Sequence, residues 1–357
     1  MLRNRVSKLA AATTAGALLM AAAACGGSDD TKASATGAAS QGAGAGGAAQ
    51  VKVGLAYDIG GRGDGSFNDA AGAGLDKAVA DLKLGKAQEL EATQGETDAQ
   101  KEQRLRLLAQ GGYNPVIAIG FAYSGPLGKV AKDFPNTKFA IVDDPVEGAN
   151  ISNLLFAEEQ GSFLVGVAAA LKSTKDNIGF VGGVDVPLIH KFEAGFEAGA
   201  KAAKPSIKIQ TKYLSQPPDM SGFGDPAKGK TAAQGMYDAG ADVVYQAAGG
   251  SGGGVFDAAK AAGGMAIGVD SDQAALPAYA NVKDVIITSM LKKVDVAVFD
   301  FLKNYVDGTV KAGPTVYDLK AGGVDYSTTG GKVDDIKSKI DDYKQQIIDG
   351  KITVPSS

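Results

Sequence analysis

The 357-residue sequence has no tryptophan, one cysteine and one histidine. A lone cysteine excludes an internal disulfide and needs another role. His190 has no nearby cysteine or paired acids, so no zinc spacing is present. A Ser-His-Asp triad would have to use that same His190, and no G-x-S-x-G elbow exists. No sign of charge dominates, because 36 Lys and Arg face 40 Asp and Glu for a net charge of −4. Nothing in that balance suggests a nucleic-acid surface, which would show a basic patch. Binding without chemistry is the simpler reading, with no catalytic residue, metal or cofactor implied. His190, early in the helical stretch VPLIHKFEAGF, is read as a packing or hydrogen-bonding residue.

A long apolar run is also missing. The N-terminal one, Leu9 to Ala24, is interrupted by Thr13, Thr14 and Gly16 and falls short of the roughly 20 residues a membrane span needs. With Arg3, Arg5 and Lys8 before it, residues 1–25 have the proportions of a secretory signal peptide. The run ends at Cys25, among small residues and before Gly26-Gly27, as in a lipobox whose cysteine receives diacylglycerol. The usual Leu three residues before the cysteine is Ala22 here. Residues 26–50 are mostly Gly, Ala, Ser, Thr and Gln, too polar and small to bury a core. They read as a tether with an r.m.s. reach of roughly 25–30 Å, holding a domain off the extracytoplasmic face of a cell membrane.

Residues 224–231, GDPAKGKT, fit the P-loop pattern letter for letter. Their context does not. A P-loop opens directly from a buried strand onto a helix N-terminus, whereas SQPPDMSGFGDP separates this motif from the nearest strand, IKIQTKYL. Asp225-Pro226 reads instead as N-cap and first helical position. Gly229, Lys230 and Thr231 then fall inside the helix. An exported P-loop enzyme remains a remote alternative.

Roughly 300 residues follow the tether, enough for two domains. Strand patterns VKVGLAYD, AQELEAT, PVIAIG, KFAIVDD, NISNLLF, NIGFVGG, IKIQTKYL, DVVYQAA, MAIGVDSD and VIITSML alternate with amphipathic helix patterns. This predicts α/β layers with mainly parallel sheets. The halves echo each other: QRLRLLAQGGYNPVIAIGFAYSGPLGKVAKDFPNTKFAIVDD parallels KTAAQGMYDAGADVVYQAAGGSGGGVFDAAKAAGGMAIGVDSD. Two similarly built lobes follow, with a ligand cleft outside the carboxyl ends of their strands. KVDDIKSKIDDYKQQIIDGKI reads as a C-terminal amphipathic helix ending at Gly350, its outer face plain solvent surface.

Several residues fall on that cleft. Asp58 ends the first strand, and Phe67 and Asn68 open the next helix; Phe223 sits beside a helix start in the second half. Each phenylalanine either staples a helix to its sheet or stacks on a flat ring, a contact worth roughly 1–3 kcal/mol for any base. Asn68 either caps its helix or reads a ring edge with its donor and acceptor. Asp270 and Lys292 end strands; they either bind neighbouring hydroxyls, as on a ribose, or pair with each other. Gly249, in AAGGSGGG, marks close backbone approach or a phosphate cradle.

The stretches GDGSFND, GFVGGVDVPLIHKFEAGFEAG, GFGDPAKGK, GADVVYQAAGGSGGGVF, AIGVDSDQ and TSMLKKVDVAV together resemble the basic membrane protein family of ABC-transporter solute-binding lipoproteins, often purine-nucleoside receptors. The likeness runs from Val51 to about Asp300. It implies the type I periplasmic-binding-protein fold: a first lobe of 51–156 plus about 289–312, and a second of 157–288 plus about 313–350. It implies Phe67 and Phe223 as a nucleobase clamp, Asn68 as a base contact, Asp58 in the same pocket, Asp270 and Lys292 on the ribose, and Gly249 approaching by backbone. Many members carry Asp where this chain has Gly125 in GFAYSGP, which removes a base contact. The implied partners are a nucleoside, an ABC permease and its separate ATPase, for a chain acting as a monomer. A flavin or sugar ligand, or a sensor without transport, are the alternatives.

Overall fold

The computed structural model describes residues 51–357, so the signal peptide, Cys25 and the tether lie outside the described residues. Two six-stranded sheets organise the chain. The first contains β1 (Gly54–Ala56), β2 (Gln88–Leu90), β3 (Val116–Ala118), β4 (Phe139–Val142), β5 (Ile151–Phe156) and β11 (Gly313–Tyr317). The second contains β6 (Asn177–Val184), β7 (Lys208–Ser215), β8 (Val243–Ala247), β9 (Met265–Asp270), β10 (Ile286–Lys292) and β12 (Val324–Tyr326). Their orders, β11-β5-β4-β3-β1-β2 and β12-β10-β9-β8-β6-β7, match strand for strand. The repeat read in the sequence is therefore a repeat of topology. Every pairing is parallel except β10 with β12. β1, β3, β4 and β8 are buried throughout, as parallel strands covered by helices on both faces should be.

Among the described residues eight α-helices lie between these strands and a ninth follows the last of them. Those that position the cleft are α1 (Phe67–Asp81), α4 (Glu158–Lys172), α5 (Pro187–Ala203), α6 (Pro226–Asp238) and α8 (Val294–Val306). Among the described residues no helix is long and apolar enough to cross a membrane. The Asp225 carboxylate accepts the Lys228 amide at 3.0 Å and caps α6. Gly229, Lys230 and Thr231 lie within that helix, and the Thr231 hydroxyl donates back to the Ala227 carbonyl at 2.9 Å. Those backbone amides serve the helix, not a phosphate. His190 finds a polar partner, its Nε2 lying 2.7 Å from Asp185 Oδ1.

The chain passes from the first sheet to the second at Ala157, returns at Lys293, and passes again between Tyr317 and Val324. The second and third passages come later than the sequence reading placed them, at 288–289 and 312–313. β10 stays paired with β9 through Leu291 and with β12 through Lys292. β11, unread as a strand, pairs with β5 in the first sheet. Three of its five residues are exposed, Pro314 among them, so it carries no apolar alternation to read. The C-terminal helix starts at Lys337 and ends before Gly350, which adopts φ 72°. Its buried residues are Ile340 and Ile347.

Candidate functional site

The carboxyl ends of both sheets open onto one cavity of about 60 Å³. Asp58, Phe67, Asn68, Phe223, Gly249, Asp270 and Lys292 all line it.

The loop after β1 is built around Asp64. Its carboxylate accepts the amides of Ser66 at 2.9 Å, Asn68 at 2.9 Å and Asp69 at 3.1 Å, satisfying the free amides at the start of α1. Asn68 completes the loop: its Oδ1 accepts the Asp58 amide at 3.0 Å, and its Nδ2 donates to Asp64 at 3.0 Å and Ile59 O at 3.3 Å. The Asn68 amide thus braces the loop from within. Phe67, first residue of α1, lies between these anchored neighbours and lines the cavity.

The second lobe supplies Phe223 from a short 3-10 turn, Ser221–Phe223. Ser251 holds that turn, its hydroxyl donating to Gly222 O at 2.7 Å and accepting the Asp225 amide at 2.8 Å. Gly183 makes room for the ring: a β-carbon there would lie 2.4 Å from Phe223 Cδ1. Across the cleft Phe121 meets Phe223 edge to face, with centroids 6.4 Å apart. Gly249 lines the wall with φ 54°.

Asp143 and Asp270 follow or end the fourth strand of each sheet, and both have left-handed backbone, φ 76° and 63°. Non-glycine residues seldom adopt this conformation, and it concentrates at functional sites. The Ser66 hydroxyl donates to Asp270 across the cleft. Lys292 ends β10 with its side chain 2 % exposed and donates at 2.7 Å to Asp143 of the first lobe. Asp143, not Asp270, is thus its hydrogen-bonded partner. Glu158 Oε1 lies 3.1 Å from the same ammonium without a hydrogen bond of its own. The rings of Phe67, Phe156 and Phe192 close round the ammonium at 5.1, 5.1 and 5.5 Å, within cation–π range.

Burial raises the acids of this site. It pushes Asp58 up to about 6, against the Ile59 amide and nearby cations. It pushes Asp270 up to about 6, with Lys292 pulling the other way. Asp143 and Asp64 are raised by the same cause. Burial pulls the Lys292 ammonium down, but Asp143, Glu158 and Asp270 outweigh it and hold the charge. The cavity therefore offers aromatic faces and carboxylate acceptors, with its one lining lysine already engaged. Such a wall suits a flat, uncharged ligand rich in N–H and O–H donors.

Sequence reasoning missed Asp64, Phe121, Asp143 and Phe192, all on the cavity wall. Asp143 was legible in principle, because FAIVDD and AIGVDSD are equivalent stretches of the repeat and Asp143 stands where Asp270 does. Phe192 follows Leu188 and Ile189 on the first turns of α5, and all three line the cavity. Gly125 lies in the helix Ser124–Asp133 and is not among the residues lining the cavity.

Residues 51–357 match the family described as ABC transporter substrate-binding protein PnrA-like. The chain is 38% identical to the ABC transporter nucleoside-binding protein BmpA of Lactococcus lactis subsp. cremoris over 86% of this chain and 89% of that one. It is 35% identical to an uncharacterized lipoprotein of Pyrococcus abyssi, covering 78% of this chain and 69% of the other. The crystal structure of an ABC transporter solute-binding protein from Aeropyrum pernix K1 superposes with a TM-score of 0.75 at 28% identity, over 86% of this chain and 94% of that one. The architecture is that of a type I periplasmic binding protein. Its two matching sheets, the cavity at their carboxyl ends and these likenesses converge: the chain belongs to the PnrA-like family of ABC transporter substrate-binding proteins.

Proposed function

We propose that the chain binds a nucleoside, with a purine base preferred, in the cavity between its lobes and presents it to an ABC permease driven by a separate ATPase. The observation that carries this reading is the pairing of aromatic rings from both lobes with carboxylates at the ends of β4 and β9 around one cavity. Phe67 and Phe223 hold the base by its faces. Asp270 accepts hydrogen bonds from ribose hydroxyls, and Asp143 is the first-lobe counterpart. Lys292 fixes the geometry of Asp143 and the hinge side of the site. Asn68 and Asp64 set the ring of Phe67, Asp58 lies at the base end, and Gly249 approaches by backbone. The L. lactis relative, named as a nucleoside-binding protein, supports the same ligand class.

The lobes, 51–156 with 294–317 and 158–292 with 324–357, swing about the three passages of chain between them. A lipid on Cys25 anchors the monomer at the extracytoplasmic face of the membrane, and residues 26–50 give it reach; the lipoprotein name of the P. abyssi relative supports the anchor.

A thermal-shift screen of the purified chain against nucleosides, free bases, riboflavin, simple sugars and Mg-ATP tests the reading. Ligand at about 100 times its dissociation constant stabilises the fold by about 2.7 kcal/mol. Shifts with nucleosides and none with Mg-ATP are expected. A shift confined to riboflavin or sugars would replace the ligand class, and one confined to Mg-ATP would overturn the account of the cavity.

A further inference from the structure

Three consecutive residues of the first lobe, Asp64, Gly65 and Ser66, present backbone carbonyls to the second lobe. Gln273 donates from Nε2 to Gly65 O at 2.8 Å, Tyr279 donates to Asp64 O at 3.3 Å, and Ser271 donates to Ser66 O at 3.4 Å. None of these three donors is among the residues lining the cavity.

The Gln273 side chain is built for one orientation. It is fully buried, and its Oε1 accepts the Val269 amide at 2.9 Å and Gln246 Nε2 at 2.9 Å. Gln246 is fixed in turn, because its Oε1 accepts the Ala248 amide at 3.0 Å. Backbone N–H groups can only donate, so they dictate which end of each side-chain amide is oxygen. The Nε2 of Gln273 is left facing the opposite lobe. Gly268 makes the seat possible, since a β-carbon there would lie 2.6 Å from Gln273 Oε1. The second lobe thus pre-orients a buried donor, and its acceptor belongs to the loop that carries Phe67.

We propose that Gln273 and Tyr279 are a latch that holds the two lobes together over the cavity, setting how long a ligand stays without touching it. Parting the lobes takes Gly65 O away from Gln273 and leaves the glutamine donor unpaired in a site shaped for that bond. Ligand entry precedes the latch, whereas ligand release requires its rupture. Loss of the latch therefore acts on the dissociation rate and acts equally on every ligand. The kinetic part rests on the reading of the cavity as the ligand site; the contact between lobes does not.

The test uses the full chain and two variants, Gln273→Ala and Tyr279→Phe. The second removes one oxygen, keeps the edge contact of Tyr279 with Phe256, and guards against misfolding of the first. Hydrogen exchange without added ligand is followed at residues 59–68, with β3 and β8 as internal references. Faster exchange at 59–68 in both variants, with the references unchanged, is expected. Unchanged exchange at 59–68 in both variants would overturn the latch. For any nucleoside found in the thermal screen, the dissociation rate should rise about three- to tenfold with the association rate constant and the factor shared across ligands. A loss in association rate, or one confined to a single ligand, would also overturn it. If no nucleoside binds the wild-type chain, the proposed function fails while the exchange experiment still decides the latch.

Discussion

Asp143 and Asp270 occupy the same place in the two sheets, share a left-handed backbone, and have opposite partners. Asp143 receives the buried Lys292 ammonium from the second lobe, whereas Asp270 receives the Ser66 hydroxyl from the first. Each acid is thus held by the lobe it does not belong to. The repeat that built two equal scaffolds has been used to place one neutralised carboxylate and one with only a hydroxyl partner across the same cavity. The second is free to exchange that hydroxyl for those of a ligand.

Replacing Asp270 by Asn should therefore penalise ribosides more than free bases. Hydrogen bonds to a charged acceptor are worth about 1.5–3 kcal/mol, so ribosides should lose roughly 10- to 150-fold in affinity. Calorimetric titration of a nucleoside and its free base against both proteins measures the difference. Equal losses for the two ligands would reject the ribose role.

The raised acids give binding a direction in pH. Asp270 and Asp58 titrate near 6, against a free value of 3.8. Between about pH 4 and 6 the folded chain holds more protons at these groups than the unfolded one, so their contribution to unliganded stability falls as pH rises through that window and is level above it. A ligand donating to Asp270 favours the ionised form, so affinity should fall as pH drops below 6. Thermal shift at pH 5 and 7.5 checks both signs: the ligand-induced shift should shrink in acid, and in Asp270→Asn its pH dependence should weaken. An increase in acid would mean that the ligand accepts from a protonated carboxyl.

Where local chemistry sets local geometry, the sequence is readable. Asp225-Pro226 could be read as a helix start because capping needs only neighbours, and the alternation of strand and helix patterns announced five strands of each sheet, without β11 and β12. The cavity wall was legible where a residue sits at a strand end or on a glycine-rich loop, as with Asp58, Phe223 and Asp270. The partner of Lys292 was not, because Asp143 lies 149 residues away on the other lobe and is joined to it only by folding. Asn68 reads as a helix cap or a ring-edge contact, yet its side-chain amide is bound to Asp58, Ile59 and Asp64, a packing of the loop that no spacing announces. β11 escaped because an exposed edge strand with a proline has no pattern beyond its register with β5.

Phe67→Ala and Phe223→Ala should each weaken all nucleosides by similar factors. Ring stacking contributes about 1–3 kcal/mol whatever the base, which corresponds to roughly 5- to 150-fold in affinity. The variants should separate in stability. Phe67 also covers the Lys292 ammonium at 5.1 Å, so its loss should lower the melting temperature of the unliganded chain more than that of Phe223. Affinities for adenosine, guanosine and cytidine, with unliganded melts, check both points; losses confined to one base would mean edge recognition instead of stacking.

Lys230 and Lys292 offer the sharpest contrast between two lysines. Lys230 matches the P-loop lysine in sequence, yet it is exposed on α6; Lys230→Ala should leave nucleoside affinity and the melting temperature unchanged. Lys292 matches no motif of catalysis, yet it is sealed between two carboxylates and three rings. Lys292→Met keeps much of the side-chain volume and removes the charge, leaving Asp143 buried without a cation and Glu158 with only Lys191, at 3.4 Å. Breaking a buried pair in this way costs about 3–5 kcal/mol. Adding Asp143→Asn removes one of the stranded charges, so the double variant should recover part of the loss. Denaturant melts of the wild type, both single variants and the double variant measure the coupling. A double variant no more stable than Lys292→Met would mean that the lysine acts by packing alone, and that its charge does not hold the hinge side of the site together.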